Sequence, residues 1–408
     1  MNYYSNPELA RQFGVSRRTV TNWIEQTRQG RLGLELVRDG AYDYISKTPK
    51  NLLIMRGIVQ QRRKFINKRS LKIATPRPKF YELFSDAQVI DLIYGIEKYR
   101  EIPRQYNYFD EGASLWDKHT WRQYGDTAPN MVTQTIALLD ANVGYIDWLF
   151  ARHERINIVD IGPGNALPVK KLLAHLLESD RLGKYIAIDI SQAMLAIAER
   201  NIRDWFGGAV AFEGHVRDIS RDWLADVISE LPADDGGSTA NLCLLLGATL
   251  PNFRAPEVVL RNIVDSMGPG DYFAYTTGVD SAWGREQFHF SVDENTVQRL
   301  PPQYKLVMDL LGIEPSIYST EMGFDERERS RYLRIRLKHP LTIEIKLSTG
   351  VRRVDLNKEE TILLWRARHN TALEIGEQLN AGGLEPLLMS KTEGHDYLMV
   401  IADLQRGH

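Results

Sequence analysis

Cysteine is almost missing from this chain: Cys243 is the only one in 408 residues. That excludes an intrachain disulfide and a cysteine-rich zinc site, and it fits a reducing compartment. Long apolar runs are missing too. No stretch approaches the roughly 20 residues that a membrane-spanning helix needs. The opening MNYYSNPELARQFG lacks a basic-then-apolar signal pattern, so a cytoplasmic location and no membrane partner are expected. His119, His215 and His369 stand isolated, without metal-ligand spacing, and no metal is expected. Repeats and low-complexity tracts are absent. What is there is a chain with 43% apolar residues, enough for large packed cores in two or three domains.

Net charge is nearly absent as well, at −2, but it is unevenly distributed. Residues 1–80 hold 17 Lys+Arg against 5 Asp+Glu, a balance of +12, and the remainder holds 34 against 48, a balance of −14. A basic piece can meet a polyanion that an acidic body repels. It can equally dock on its own acidic body. Within it, NPELARQFGVSRRTVTNWIEQ begins a helix with Asn6 as cap and Pro7 in the first turn. Gly14 allows a tight turn, and Ser16 caps a second helix with Val15, Val20, Trp23 and Ile24 on its apolar side. Asp39-Gly40 between alternating apolar residues predicts a hairpin, and MRGIVQQRRKFINKRSLK a basic helix.

This segment resembles the winged helix-turn-helix modules of the MerR and excisionase type. The resemblance implies duplex DNA as a partner, with Arg17, Arg18, Thr19, Thr21 and Asn22 on the reading side of the second helix. A module for dimerisation or for closing an active site stays open beside it, and a homodimer suits either. The domain is expected over 1–75. A hinge is expected at TPRPKF (Thr75 to Phe80), where two prolines discourage helix.

A Tyr- and Trp-rich, helical segment follows over 80–150. From Asn157 the texture alternates. INIVDIG, KYIAIDI and NLCLLLG read as buried parallel strands, and VKKLLAHLLE and AMLAIAERNIRDW as crossover helices. The expected fold is therefore α/β, a doubly wound, Rossmann-like sheet over 151–285. An appended α+β lobe is expected over 286–408, some of whose strands finish the sheet. The first strand ends at Asp160 in NIVDIGPGNALPVKK, where Gly162 and Gly164 flank Pro163 and let backbone approach a ligand. The next ends at Asp189, 29 positions later, followed by Ile190. Asp218 and Ile219 follow the third, and Leu246 and Gly247 the fourth. A glycine turn with carboxylates at successive strand ends suits a ribose and an adenine amino group, and repels a pyrophosphate. The series resembles class I methyltransferases that use S-adenosylmethionine. A nucleotide-sugar or NAD fold, or a fold that binds nothing, is the competing reading of the same residues.

LGATLPNF (Leu246 to Phe253), NYFDEGASLWD (Asn107 to Asp117) and KTEGHDYLMVIADL together resemble the histidine-specific methyltransferases of ergothioneine biosynthesis. The resemblance covers roughly Phe80 to Leu404, with gaps. It implies S-adenosylmethionine as cofactor and a small-molecule acceptor. Tyr108, Tyr124 (after a one-residue gap) and Asn252 fall on positions that hold the substrate's amine and carboxylate end. The bland readings are core packing for the tyrosines and a helix cap for Asn252. Where the family recognises imidazole through Glu-x-Ser, ETILLWRARHN places Trp365 and Ala367. An aromatic and a methyl cannot replace those hydrogen bonds, so the expected acceptor is an amine or amino-acid-like group other than histidine. Two alternatives remain: a nucleic-acid-directed methyltransferase, against which stand the acidic body and the absent Asp-Pro-Pro-Tyr, and a regulator that binds the cofactor without turnover.

Overall fold

A computed structural model describes residues 3–228, 239–247, 249–281, 300–394 and 396–405. Of the expected lobe, 286–299, 395 and 406–408 fall outside these. The chain divides into two compact units, one of residues 1–72 with 339–341, the other of 73–338 with 342–408.

In the first unit, helices Asn6–Phe13 and Arg17–Arg28 flank a turn at Gly14, whose φ of 62° favours glycine. Ser5, not Asn6, caps the first helix. Its hydroxyl accepts from the Glu8 amide, and the Glu8 carboxylate accepts from the Ser5 amide, both at 3.3 Å. Asn6 is already the first helical residue, and Pro7 follows where its missing N–H costs nothing. Ser16 caps the second helix as expected. Leu9, Phe13, Val20, Trp23 and Ile24 close a small core with Ile45 and Met55. Strands Leu36–Asp39 and Tyr42–Ser46 form a hairpin that turns at Gly40 and Ala41, and helix Pro49–Ser70 follows.

The second unit is built on seven strands: β1 (Arg155–Ile161), β2 (Leu182–Asp189), β3 (Ala211–Val216), β4 (Thr239–Leu245), β5 (Tyr272–Gly278), β6 (Leu384–Lys391) and β7 (Tyr397–Leu404). Their order is β6-β7-β5-β4-β1-β2-β3. β1 to β5 run parallel, while β7 is antiparallel to β5 and to β6. Alternate residues divide between two cores, as the twofold strand period requires. Ile158, Leu242 and Leu244 pack with helices Met131–Leu149, Lys170–Glu178 and Gln192–Phe206. Val159, Cys243 and Leu245 pack with Pro256–Val264 and Ala372–Ala381. Burial raises the Cys243 thiol well above its ordinary range, which keeps it an inert core group.

The strand-rich end resolves into three parts, one of them the paired strands Leu341–Leu347 and Gly350–Leu356. β6 and β7 complete one edge of the main sheet, whereas Tyr318–Asp325, Ser330–Leu337 and Thr361–Arg368 form a separate antiparallel sheet. The prolines near residue 77 do not suppress helix. Pro78 opens helix Pro78–Leu83 from a position where no amide bond is lost. Among the described residues no helix is long and apolar enough to cross a membrane, and no cluster of His, Cys, Asp or Glu could hold a metal ion.

Candidate active site

Chain order reverses between β1 and β4: β2 and β3 lie on one side, β5 on the other. A crevice must open there at the carboxyl ends of the strands. A cavity of about 610 Å³ occupies that place.

At its floor, β1 delivers Asp160, only 2% exposed. Tyr185 donates to Asp160 Oδ2 at 2.8 Å, while Oδ1 is buried without a hydrogen-bond partner. The chain then turns through Gly162 and Gly164 at φ of 71° and 57°, and a Cβ on Gly164 would stand in open space within the cavity wall. β2 delivers Asp189, whose Oδ1 accepts from the Ser191 amide at 2.9 Å. Burial pushes both carboxyls up to about 7; the Tyr185 bond opposes this for Asp160, and backbone amides oppose it for Asp189. Asp218 Oδ1 accepts from the Ser220 amide and hydroxyl at 3.0 and 2.6 Å. All ten residues expected at the cofactor, Asp160, Gly162, Pro163, Gly164, Asp189, Ile190, Asp218, Ile219, Leu246 and Gly247, line this one cavity.

Helix Glu111–Tyr124 covers the crevice, and two contacts show why its residue types suit it. Asn165, in the glycine turn, donates to Asp117 Oδ1 at 2.8 Å. Gly112 passes so close to Asn107 that a Cβ would come within 2.0 Å of its carbonyl oxygen. Ser191 ties the two halves: its hydroxyl donates to the Tyr108 carbonyl at 2.7 Å, two residues after Asp189. Burial pushes the Tyr108 phenol up to about 12, against the pull of the Arg104 charge, so it stays protonated.

Tyr108, Asn252 and Trp365 meet at the cavity. Asn252 does not cap the following helix, whose N-cap is Ala255. Trp365 is pocket, not core: its indole N–H donates to Asn252 Oδ1 at 2.9 Å. Ala367 also lines the wall. Tyr124 departs from expectation. It is 47% exposed, packs edge-on against Trp121, and is not part of the lining; Gln123, one residue earlier, is.

Sequence reasoning missed several lining residues. Arg104 lies among the rings of Trp116, Tyr108, Tyr304 and Trp365, at 4.5 to 6.0 Å from their centres. His119 meets Trp116 edge-on, and burial holds its imidazolium down. Arg331 donates to His369 Nε2 at 3.1 Å and lies over Trp365. The aromatic density of 104–124 was the visible signal, but not its convergence on one arginine.

An adenosyl group without phosphates fits this arrangement: the carboxylates and the close backbone approach are there, and Asp160 Oδ1 awaits a donor. Fold and site define an S-adenosylmethionine-dependent methyltransferase. The model of the histidine-specific, S-adenosylmethionine-dependent methyltransferases matches residues 87–290, half of the chain, and the protein belongs to that family. A comparison with curated proteins returns no match. Among solved structures, the chain is similar to a S-adenosylmethionine-dependent methyltransferase from Clostridium acetobutylicum (13% identity, 71% of this chain and 98% of that one, TM-score 0.38). It is similar to a magnesium protoporphyrin IX methyltransferase from Synechocystis (11%, 73% and 96%, TM-score 0.38). It is also similar to a 1,6-didemethyltoxoflavin N1-methyltransferase from Burkholderia thailandensis (14%, 74% and 91%, TM-score 0.36).

Proposed function

We propose that this enzyme methylates the amine nitrogen of a small acceptor other than histidine. The bond from Trp365 to Asn252 carries the reading. The position implied for an imidazole-binding carboxylate holds an indole, already spent on the asparagine, and the hydroxyl position holds the methyl of Ala367. Histidine would bring its ring nitrogens to groups that cannot answer them.

In this reading Asp189 accepts the ribose hydroxyls and Asp218 the adenine amino group. Asp160, Pro163 and the flanking glycines receive the amino-acid end, and Ile190, Ile219, Leu246 and Gly247 form the walls. S-adenosylmethionine, when bound, supplies a methyl whose bond to sulfur breaks as the bond to nitrogen forms, the nitrogen keeping its protons as an ammonium that loses one only after release to solvent. The chain's own contribution is placement. Tyr108, a neutral phenol, and Asn252 hold the amine with its lone pair in line, and the aromatic walls exclude water.

The test pairs the full chain and S-adenosylmethionine with histidine, with mass-spectrometric detection. No methylhistidine above the enzyme-free blank is expected, in protein that binds S-adenosylhomocysteine by calorimetry. Methylated histidine would overturn the reading.

For the N-terminal unit, residues 1–75, we infer a winged helix-turn-helix that meets duplex DNA. Arg17, Arg18, Thr21 and Asn22 are all exposed on the helix after the Gly14 turn. Thr19 is half-buried, with its hydroxyl 2.9 Å from that of Ser16 at the cap, and drops from the reading set.

A further inference from the structure

We propose that Arg104 is the seat of a carboxylate on the acceptor, and that the substrate is an amino acid with a planar, apolar side chain. This deepens the proposed function and rests on it.

Arg104 carries a full positive charge into a wall of rings. Its guanidinium carbon lies 4.5 Å from the centre of the Trp116 ring and 5.7, 5.9 and 6.0 Å from those of Tyr108, Tyr304 and Trp365. Aromatic faces attract a cation, and the Tyr108 phenol is within its reach, but a neutral hydroxyl does not balance the charge. Arg104 forms no ion pair with a described residue, and its Nε is buried without a hydrogen-bond partner. A second orphan stands beside it, the indole N–H of Trp116. Both are donors, so whatever completes them must bring acceptor atoms.

The carboxylates of the cavity are committed elsewhere. Asp117 holds Asn165 and Arg200, Asp396 accepts from Ser281, and Asp160, Asp189 and Asp218 stand at the strand ends. A planar guanidinium matches a carboxylate through two parallel bonds. Leaving a donor of this kind unanswered costs more than the pair returns, which makes it a discriminator between ligands with and without the anion.

The side-chain end follows from a second cavity, of about 180 Å³, which shares His119, Tyr304, Arg331 and Trp365 with the first. Met322 and Leu333 line it, beside Gln303 and Tyr332. Tyr304 and Trp365 stand 6.3 Å apart and tilted at 43°, so a flat ring laid against their outer edges, not between them, would reach it while its carboxylate met Arg104.

The experiment uses the full chain saturated with S-adenosylhomocysteine, titrated calorimetrically with L-phenylalanine, L-tyrosine and L-tryptophan and with phenethylamine, tyramine and tryptamine. At least one acid should bind tenfold or more tighter than the amine lacking its carboxylate. Arg104→Met should abolish that preference with the affinity for S-adenosylhomocysteine within twofold of wild type. Arg104→Lys, which keeps charge and length but loses the fork, should reduce it and serves if the methionine variant does not fold. Equal binding of acid and amine, or no binding by any of the six, overturns the proposal. So does a matching loss of S-adenosylhomocysteine affinity in the variant, which would give the seat to the donor's own carboxylate. Failure of wild type to bind S-adenosylhomocysteine would instead sink the underlying reading.

Discussion

Asp160 and Asp189 end adjacent strands and are both held up to about 7 by burial. Both are therefore harder to ionise in the folded apoprotein than in the unfolded chain, where an aspartate titrates near 3.9. The linkage runs one way: the fold is relieved when these groups are protonated, and their cost accrues as pH rises from about 3.9 to about 7 and levels above it. In the proposed placement of the cofactor, ligand binding runs the other way, because ribose hydroxyls would donate to an ionised Asp189. S-adenosylhomocysteine affinity should rise as pH climbs toward about 7, by up to roughly tenfold per unit, and level above it. Asp189→Asn should weaken that affinity at pH 8 by tenfold or more, yet melt higher than wild-type apoprotein at pH 8 and by a smaller margin at pH 5. A variant that melts lower at both would show that Asp189 is held by the fold and not strained by it. The ten positions that share the cavity were legible because each sits within three residues of a strand end, a local pattern. Tyr124 was misplaced because helical side chains turn by about 100° per residue, so a one-residue gap swings the ring away and brings Gln123 in. Arg104 and Tyr304 were illegible because 200 residues separate partners that only the tertiary fold brings together.

At the scale of elements, Glu101 fastens the acceptor wall. This carboxylate is 7% exposed and accepts from Arg254 Nε and Nη2 at 3.2 and 3.0 Å and from Arg366 Nη2. Arg254 follows Asn252 by two residues, and Arg366 follows Trp365 directly. One acid thus holds the turn after β4 against strand Thr361–Arg368, and with it the 2.9 Å bond between Asn252 and Trp365. Breaking one side of a buried ion pair leaves the other charge uncompensated, at about 3–5 kcal/mol. Glu101→Gln should lower stability to urea by a few kcal/mol and loosen acceptor binding, while S-adenosylhomocysteine affinity stays near wild type. An unchanged unfolding midpoint would mean that solvent already screens the two arginines. The alternating strands and helices of β1 to β5 could be read ahead because buried parallel strands are continuous apolar runs. The destination of the later strands could not. YLRIRL alternates arginine with apolar residues and DYLMVIA runs apolar, but only pairing partners decide that Ser330–Leu337 builds the outer sheet while β7 enters the main one.

Across the whole molecule, charge separates by sequence: +12 over residues 1–80 and −14 beyond. The first unit has its own core of Leu9, Val20, Trp23 and Met55, so its exposed arginines are free of structural duty there. Neither Arg17 nor Arg18 takes part in a hydrogen bond through its side chain among the described residues, unlike Arg28, whose guanidinium is paired with Asp43 at 2.6 Å. Charges placed without partners on the helix after a tight turn suit phosphates, whose binding releases counterions and so weakens with salt. Full-length protein should bind a labelled duplex in fluorescence anisotropy with a logarithmic salt slope near −0.9 for each phosphate met. Arg17→Glu with Arg18→Glu should flatten that slope by about two and weaken binding at low salt, while leaving S-adenosylhomocysteine affinity untouched, since neither residue lines the cavity. Duplex binding that ignores salt, or a double variant indistinguishable from wild type, would strip the unit of a nucleic-acid role. Its basic surface would then answer to an acidic protein face, in keeping with the repulsion that a net balance of −14 in residues 81–408 sets against any polyanion.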